Sequence, residues 1–360
     1  MNQKISNYSF SYRIKKASQL LKKHKYDALF LTPGTNLYYL TGLSIGMLER
    51  LILFILFPDG NSFLIGPAFE IDRLNQNALK LKLQLWKEQE NPYKTAAKLL
   101  QSKIRKSRTV ALEPTCNFRT YNLLFKEIPD YRFENASIIL DSMRIAKSQE
   151  EVTAISRAAS KTLKRIDFVK KFAKPGITEL ELLDKFGGKA MVQFGPTSAI
   201  PHASSGKRKL RKNDVIIIDA SDTYDHYLSD ITRTLFVGKP SNKAIDIFNI
   251  VKAAQEEAIK KITPGISFQE IDSATHSVIE KAGYGKFFTH RTGHGLGLDI
   301  HEQPLLMLGN SNILSAGAVV TIEPGIYLPG EFGVRLEDDV LVTENGYKLL
   351  SKCVHKPTIL

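Results

Sequence analysis

Five side chains of metal-ligand type stand in order along the second half of the chain: Asp219, Asp230, His294, Glu323 and Glu337. Asp219 closes the apolar run Val215-Ile216-Ile217-Ile218, and Asp230 opens Asp-Ile-Thr-Arg-Thr. His294 is embedded in Gly-His-Gly-Leu-Gly-Leu-Asp. Glu323 follows Ala318-Val319-Val320-Thr321-Ile322, and Glu337 lies in Val-Arg-Leu-Glu-Asp-Asp-Val-Leu-Val. An ionised carboxylate at the end of a buried strand is costly unless it is paired or metal-bound. Taken singly, each residue has an ordinary explanation: a turn aspartate, a solvent-facing glutamate, a packed histidine. Taken together, four acids and one imidazole predict a centre of two divalent ions. The oxygen-rich donor set favours Mn²⁺, with Co²⁺, Zn²⁺ and Fe²⁺ as alternatives. Such a pair polarises an amide carbonyl and activates water near neutral pH, so hydrolysis is the chemistry expected. A magnesium site for phosphate is the competing oxygen-rich arrangement. The chain has no Gly-x-x-x-x-Gly-Lys-Ser/Thr loop to cradle a phosphate.

Other residues near these five could act on a substrate. An imidazole at His202, His290 or His301 can exchange a proton near neutral pH or steady an oxyanion; the plainer role is packing beneath the site. Tyr327 and Arg335 lie close to the two glutamates, and Arg335 is suited to orienting a carboxylate ligand. Thr232 can bond a ligand oxygen or simply favour a strand.

Positioning these groups requires strands. Alternation puts Val215, Ile217 and Asp219 on one face. A hairpin of 216–221 with 228–236 would set Asp219 and Asp230 facing one another, and Glu323 and Glu337 can do the same from a second sheet. Opposed carboxylates repel unless a cation lies between them. The region ahead of these strands repeats itself. Pro175-Gly-Ile-Thr178 with Glu181-Leu182 matches Pro264-Gly-Ile-Ser267 with Glu270-Ile271. Long helical segments at 149–173 and about 242–262 precede the two matches, and a helix over about 178–194 follows the first. Each half then supplies a histidine, His202 or His294, and a pair of acids. The order predicts duplicated halves facing one site.

Ser148-Gln-Glu-Glu151 is a capping box opening the first long helix, so the boundary with the preceding region is expected near 141–147. Residues 1–140 alternate strand-like and helical segments and read as a smaller α/β domain; 141–360 is the second domain. Pro58-Asp-Gly-Asn61 between two apolar runs predicts a hairpin.

The 360 residues suffice for two domains, and 43% hydrophobic with 24% charged content suits a soluble globular protein. Cys116 and Cys353 form no disulfide framework, which fits a reducing compartment. The N-terminus lacks the apolar segment of a signal peptide, and Leu51 to Phe57 is too short to span a bilayer, so a cytoplasmic protein without membrane attachment is expected. The net charge of +13 raises the question of nucleic acid. The densest basic run, Lys207-Arg208-Lys209-Leu210-Arg211-Lys212, has no interleaved aromatics and leads into the strand ending at Asp219. It is expected to be a solvated loop and strand entry.

These motifs resemble the proline-peptidase branch of the pita-bread metallopeptidases, which includes prolidase (Xaa-Pro dipeptidase) and Xaa-Pro aminopeptidase. The resemblance rests on Asp-Ala-Ser with Ser-Asp-Ile-Thr-Arg-Thr, His-x-x-x-His-Gly-Leu-Gly-Leu-Asp-x-His-Glu, Ile-Glu-Pro-Gly-Ile-Tyr and Arg-Leu-Glu-Asp-Asp. Tyr39-Leu40-Thr41-Gly42 is the best match in the N-terminal part, which looks like a creatinase-type domain. The resemblance implies an α+β pita-bread domain of two pseudo-symmetric halves preceded by that smaller domain. It implies metal ligation by all five residues, with Asp230 and Glu337 bridging two ions. Glu323 would also relay protons, and His202, His290 and His301 would line the substrate pocket or support the transition state. The implied substrates are Xaa-Pro dipeptides, or peptides with proline at position two, and a homodimer is implied. A methionine-type aminopeptidase and a catalytically inactive binding protein of the same fold are the alternatives. Three positions depart from the pattern. Ser221 and Asn213 stand where glycine is usual. Leu305 stands where many prolidases carry an arginine associated with grasping the dipeptide carboxylate. Its absence leaves the choice between dipeptidase and aminopeptidase open.

Overall fold

The computed structural model describes residues 5–104, 108–352 and 356–360. They fall into two compact units, Met1–Arg144 and Ile145–Leu360. Cys353 lies outside the described residues; Cys116 is a half-buried free thiol whose pKa burial pushes up to about 11. Among the described residues no helix is long and apolar enough to cross a membrane.

The first unit is built on a six-stranded mixed sheet in the order Lys82–Trp86, Ser62–Pro67, Leu53–Leu56, Ala28–Leu31, Thr109–Leu112, Arg132–Asn135. The hairpin over Pro58–Asn61 forms, with Leu53 opposite Ile65 and Leu56 opposite Ser62. Asp59 accepts from the Asn61 amide at 2.8 Å and holds the turn. Phe30, Leu53, Ile55, Ile65 and Val110 form a buried core with helix residues such as Ala96, Leu100 and Leu124. Asn91 caps the helix Pro92–Lys103 by accepting from the Tyr93 amide.

In the second unit, Ser148 and Glu151 close the expected capping box and start the helix Gln149–Lys170. The next helix is shorter than its apolar spacing predicts: Glu179–Phe186 in place of 178–194. Gly187 takes a left-handed φ of 62° as its cap, and the chain turns into the strand Lys189–Phe194. This strand pairs with Val215–Ser221, which pairs with Ile231–Phe236.

The second half repeats the scheme with helices Asn242–Lys261 and Phe268–Lys281, then strands Gly293–Gly295, Val319–Ile322 and Asp338–Thr343. The Pro-Gly-Ile matches adopt one local structure twice. Thr178 with Glu181, and Ser267 with Glu270, both close capping boxes. The Gly176 amide donates to the Leu210 carbonyl at 2.9 Å, and the Gly265 amide to that of Leu314 at 2.8 Å. Leu210 and Leu314 return their amides to Ile177 and Ile266, both at 2.8 Å. The expected pita-bread arrangement of two similar halves is therefore present.

Burial explains which face carries chemistry. Ile216, Ile218 and Ala220 pack into a core with Ala159, Ile166 and Leu182 of the first half's helices. The opposite face of that strand carries Asp219. Ile322, Val320 and Val340 pack with Ala258, Ile259 and Ile271 of the second half's helices. Within the basic run, Arg208 is bound by Asp214 at 2.7 and 3.0 Å and Leu210 is buried, so this segment is a structural strand entry.

Candidate metal centre

The five acid and imidazole residues converge on one cavity of about 360 Å³, which His202, His290, His301 and Arg335 also line. Tyr327 stands behind its wall, buried. Asp230, His294 and Glu337 each offer a ligand atom within 4.8 Å of the others. Glu323 brings Oε1 to 3.3 Å from His294 Nε2, and Asp230 Oδ2 lies 3.8 Å from the same nitrogen.

Strand register sets these distances, with one difference from the expected hairpin. Thr232, not Asp230, stands directly opposite Asp219. Asp230 is one pleat further along and meets Asp219 on the diagonal, on the same face. Thr232 Oγ1 donates to Glu337 Oε2 at 2.7 Å, and the Glu337 amide donates to the Thr232 carbonyl at 3.2 Å. Thr232 thus ties the acids of the two halves together.

His294 is placed by close backbone approach. A Cβ at Gly293 would fall 1.9 Å from the Thr321 carbonyl oxygen, and one at Gly295 would fall 2.1 Å from that of Gln303. The Gly-His-Gly sequence therefore lets the strand lie flush between its neighbours. The His294 amide is fixed by Thr321 Oγ1 at 3.1 Å.

The hydrogen bonds assign the tautomers. His294 Nδ1 lies 3.0 Å from the Gly295 carbonyl, so it carries the proton and Nε2 presents a lone pair to the cavity. Burial lowers the His294 pKa to about 3, keeping the ring neutral. That lone pair faces the oxygens of Glu323 and Asp230. Burial, then the charge of Glu337, raises Asp230 well above the carboxylate range; burial, then Glu323 and Asp219, does the same to Glu337. Burial pushes Glu323 up to about 7, against the opposing charge of Arg335. Buried oxygens and an imidazole lone pair aimed at one another repel unless a proton or a cation intervenes. The donor set fits divalent cations on this ground.

Arg335 is enclosed by acceptors: Nη2 donates to Asp219 Oδ2 at 2.6 Å, Nε to Thr232 Oγ1 at 3.1 Å, and Nη1 to the Tyr327 hydroxyl at 3.0 Å. The Tyr327 hydroxyl lies 2.8 Å from His290 Nε2, and His290 Nδ1 lies 2.8 Å from the Arg291 carbonyl. One directional chain satisfies all of these: Arg335 donates to Tyr327, Tyr327 to His290 Nε2, and His290 Nδ1–H to the carbonyl. Burial depresses the His290 pKa to about 4 and raises that of Tyr327 to about 12, in keeping with neutral groups. His202 and His301 are exposed at the rim, with the His301 ring 4.3 Å from that of His294.

Several supports were not singled out from sequence. Buried Asp339 accepts the Asp230 amide at 3.2 Å. Arg233 donates to Asp338 at 2.8 Å and to the Glu337 carbonyl at 2.6 Å. Asp272 accepts from the Thr292 amide and hydroxyl at 2.9 and 2.7 Å. The available signal was the Glu-Asp-Asp run inside a Val/Leu strand, with an arginine inside a Thr-rich one.

The sequence profile of metallopeptidase family M24 matches residues 150–344, and that of the creatinase/prolidase N-terminal domain matches residues 13–146. The chain belongs to metallopeptidase family M24. An uncharacterized peptidase of Staphylococcus epidermidis is 36% identical, with 94% of this chain and 99% of the relative covered. A prolidase from Thermococcus sibiricus superposes with a TM-score of 0.92 at 34% identity, covering 98% of this chain and 99% of that one. A dipeptidase from Mycobacterium ulcerans gives 0.93 at 30% identity, covering 99% of both chains. Membership in M24 makes the protein a metal-dependent peptidase, and the cavity just described lies wholly within the M24 match.

Proposed function

We propose that this M24 peptidase hydrolyses the bond between an N-terminal residue and proline, using two divalent ions held by Asp219, Asp230, His294, Glu323 and Glu337. The carrying observation is the convergence of these five side chains, two acids from each half, on one cavity with the His294 lone pair turned inward. Similarity to a prolidase and a dipeptidase over nearly the whole chain supports the substrate class. Mn²⁺ suits the oxygen-rich set best, with Co²⁺, Zn²⁺ and Fe²⁺ as alternatives. When bound, such ions polarise the scissile carbonyl and lower the pKa of water.

The chain's own groups supply the rest. Glu323, half-buried at the cavity wall, accepts a proton from the attacking water and delivers it to the proline nitrogen as the C–N bond breaks. His202 and His301, at the rim, donate to the carbonyl oxygen as it gains charge. His290 has both nitrogens engaged within the protein, so its part is positional: a neutral ring against the substrate, held by Tyr327 and Arg335. Arg335 also orients Asp219. Proline has no amide N–H, so a site that grips the carbonyl and the ring does not need the strand-like pairing that other peptides offer. Retention of all five ligand-type residues argues against an inactive binding protein. We extend the proposal to a homodimer in the cytoplasm, on the family resemblance and the sparse cysteines.

The test is turnover of Ala-Pro, Ala-Pro-Ala and Met-Ala-Ser by Mn²⁺-loaded protein, with metal content measured in parallel. Hydrolysis of the two proline peptides at two ions per chain is expected. Cleavage of Met-Ala-Ser alone would replace this reading with that of a methionine-type aminopeptidase.

A further inference from the structure

Two arginines line the cavity, and their situations differ. Arg335 is saturated, with Asp219, Thr232 and Tyr327 taking its donors. Arg291 follows His290 directly and is half-buried. Its guanidinium makes no hydrogen bond or ion pair among the described residues, and its Nε is buried without a partner. Its charge still bears on the cavity: after burial, it is the next influence holding the His301 pKa down. A guanidinium presents a rigid fork of donors matched to carboxylate geometry, and a buried donor without an acceptor is costly. Leu305, in the strand opposite His294, offers no charge that could serve instead.

We propose that Arg291 recognises a carboxylate of the substrate and thereby sets which Xaa-Pro compounds are preferred. This rests on the Xaa-Pro reading above. The carboxylate has two sources: the free C-terminus of a dipeptide, or an acidic side chain on the residue before proline. In the first case Arg291 makes the enzyme a dipeptidase; in the second it gives a preference for Asp-Pro and Glu-Pro bonds.

The experiment compares kcat/KM of Mn²⁺-loaded wild type, Arg291→Met and Arg291→Lys on two matched pairs. Ala-Pro against Ala-Pro-amide reports the C-terminal carboxylate. Asp-Pro-amide against Asn-Pro-amide reports the side chain. One charge-assisted contact predicts a wild-type preference of roughly 10- to 100-fold for the acid member of one pair. Arg291→Met brings that ratio down at least about tenfold, mainly through KM, and Arg291→Lys restores part of it. Ratios within a pair are insensitive to the fraction of folded enzyme. If wild type cleaves these compounds and neither ratio moves in Arg291→Met, the role of Arg291 is overturned while the Xaa-Pro reading stands. If wild type cleaves none of them, the reading fails and takes this inference with it.

Discussion

Loading the metal-free protein with Mn²⁺ is expected to release protons in a pH-dependent way. Glu323, with its pKa near 7, is about nine-tenths protonated at pH 6 and about one-tenth protonated at pH 8. Asp230 and Glu337, raised by burial and then by their acidic neighbours, hold further protons. His294, near 3, is already neutral and releases none. Binding at pH 6 should therefore expel about one proton from Glu323 alone, and that share should fall to about a tenth by pH 8. Each proton coupled to binding weakens the apparent affinity about tenfold per pH unit below pH 7. The sign for folding agrees. A carboxyl whose folded pKa lies above its unfolded value destabilises the metal-free fold as pH rises from about 4.5 to about 7, on the order of 3 kcal/mol for Glu323. The ion removes that penalty, so the stabilisation it confers should grow over the same window. Titration calorimetry at pH 6, 7 and 8, in buffers of different ionisation enthalpy, counts the protons. Glu323→Gln should lower the count at pH 6 by up to about one. An affinity that stays flat from pH 6 to 8, with no proton release at pH 6, would refute the electrostatic account of the site.

Thr232→Val removes the hydroxyl between Glu337 and Arg335. It should weaken metal retention roughly 10- to 100-fold, measured by metal content after dialysis against graded chelator. Gly293→Ala places a Cβ 1.9 Å from the Thr321 carbonyl oxygen. The strands must separate and His294 move, so the variant should lose metal and melt lower by circular dichroism. Arg233→Met leaves buried Asp338 without its cation. Its urea midpoint should drop by the equivalent of roughly 3–5 kcal/mol.

Much was legible along the chain because the signals are local. Capping boxes at Ser148, Thr178 and Ser267, the Pro-Gly-Ile repeat, and the strand runs before Asp219 and Glu323 all depend on neighbours within a few residues. They are enough to predict two similar halves and the five residues brought to one cavity. The overlong second helix is a local misreading too. Its apolar spacing continues past Phe186, but Gly187 and Gly188 end it and the remaining residues pair with Val215–Ser221.

What the tertiary structure alone decided is how the charges are shared. Asp219 faces Thr232 and holds Arg335; Thr232 fastens Glu337; Tyr327 and the Arg291 carbonyl take both nitrogens of His290. Arg291 and Arg335 each stand within three residues of a ligand-type side chain in the sequence, His294 and Glu337, yet one is saturated with acceptors and the other is not. Residue type and spacing set which groups are available. Desolvation and contacts across more than a hundred residues of chain determine which of them are neutralised, and neither quantity is encoded in local order.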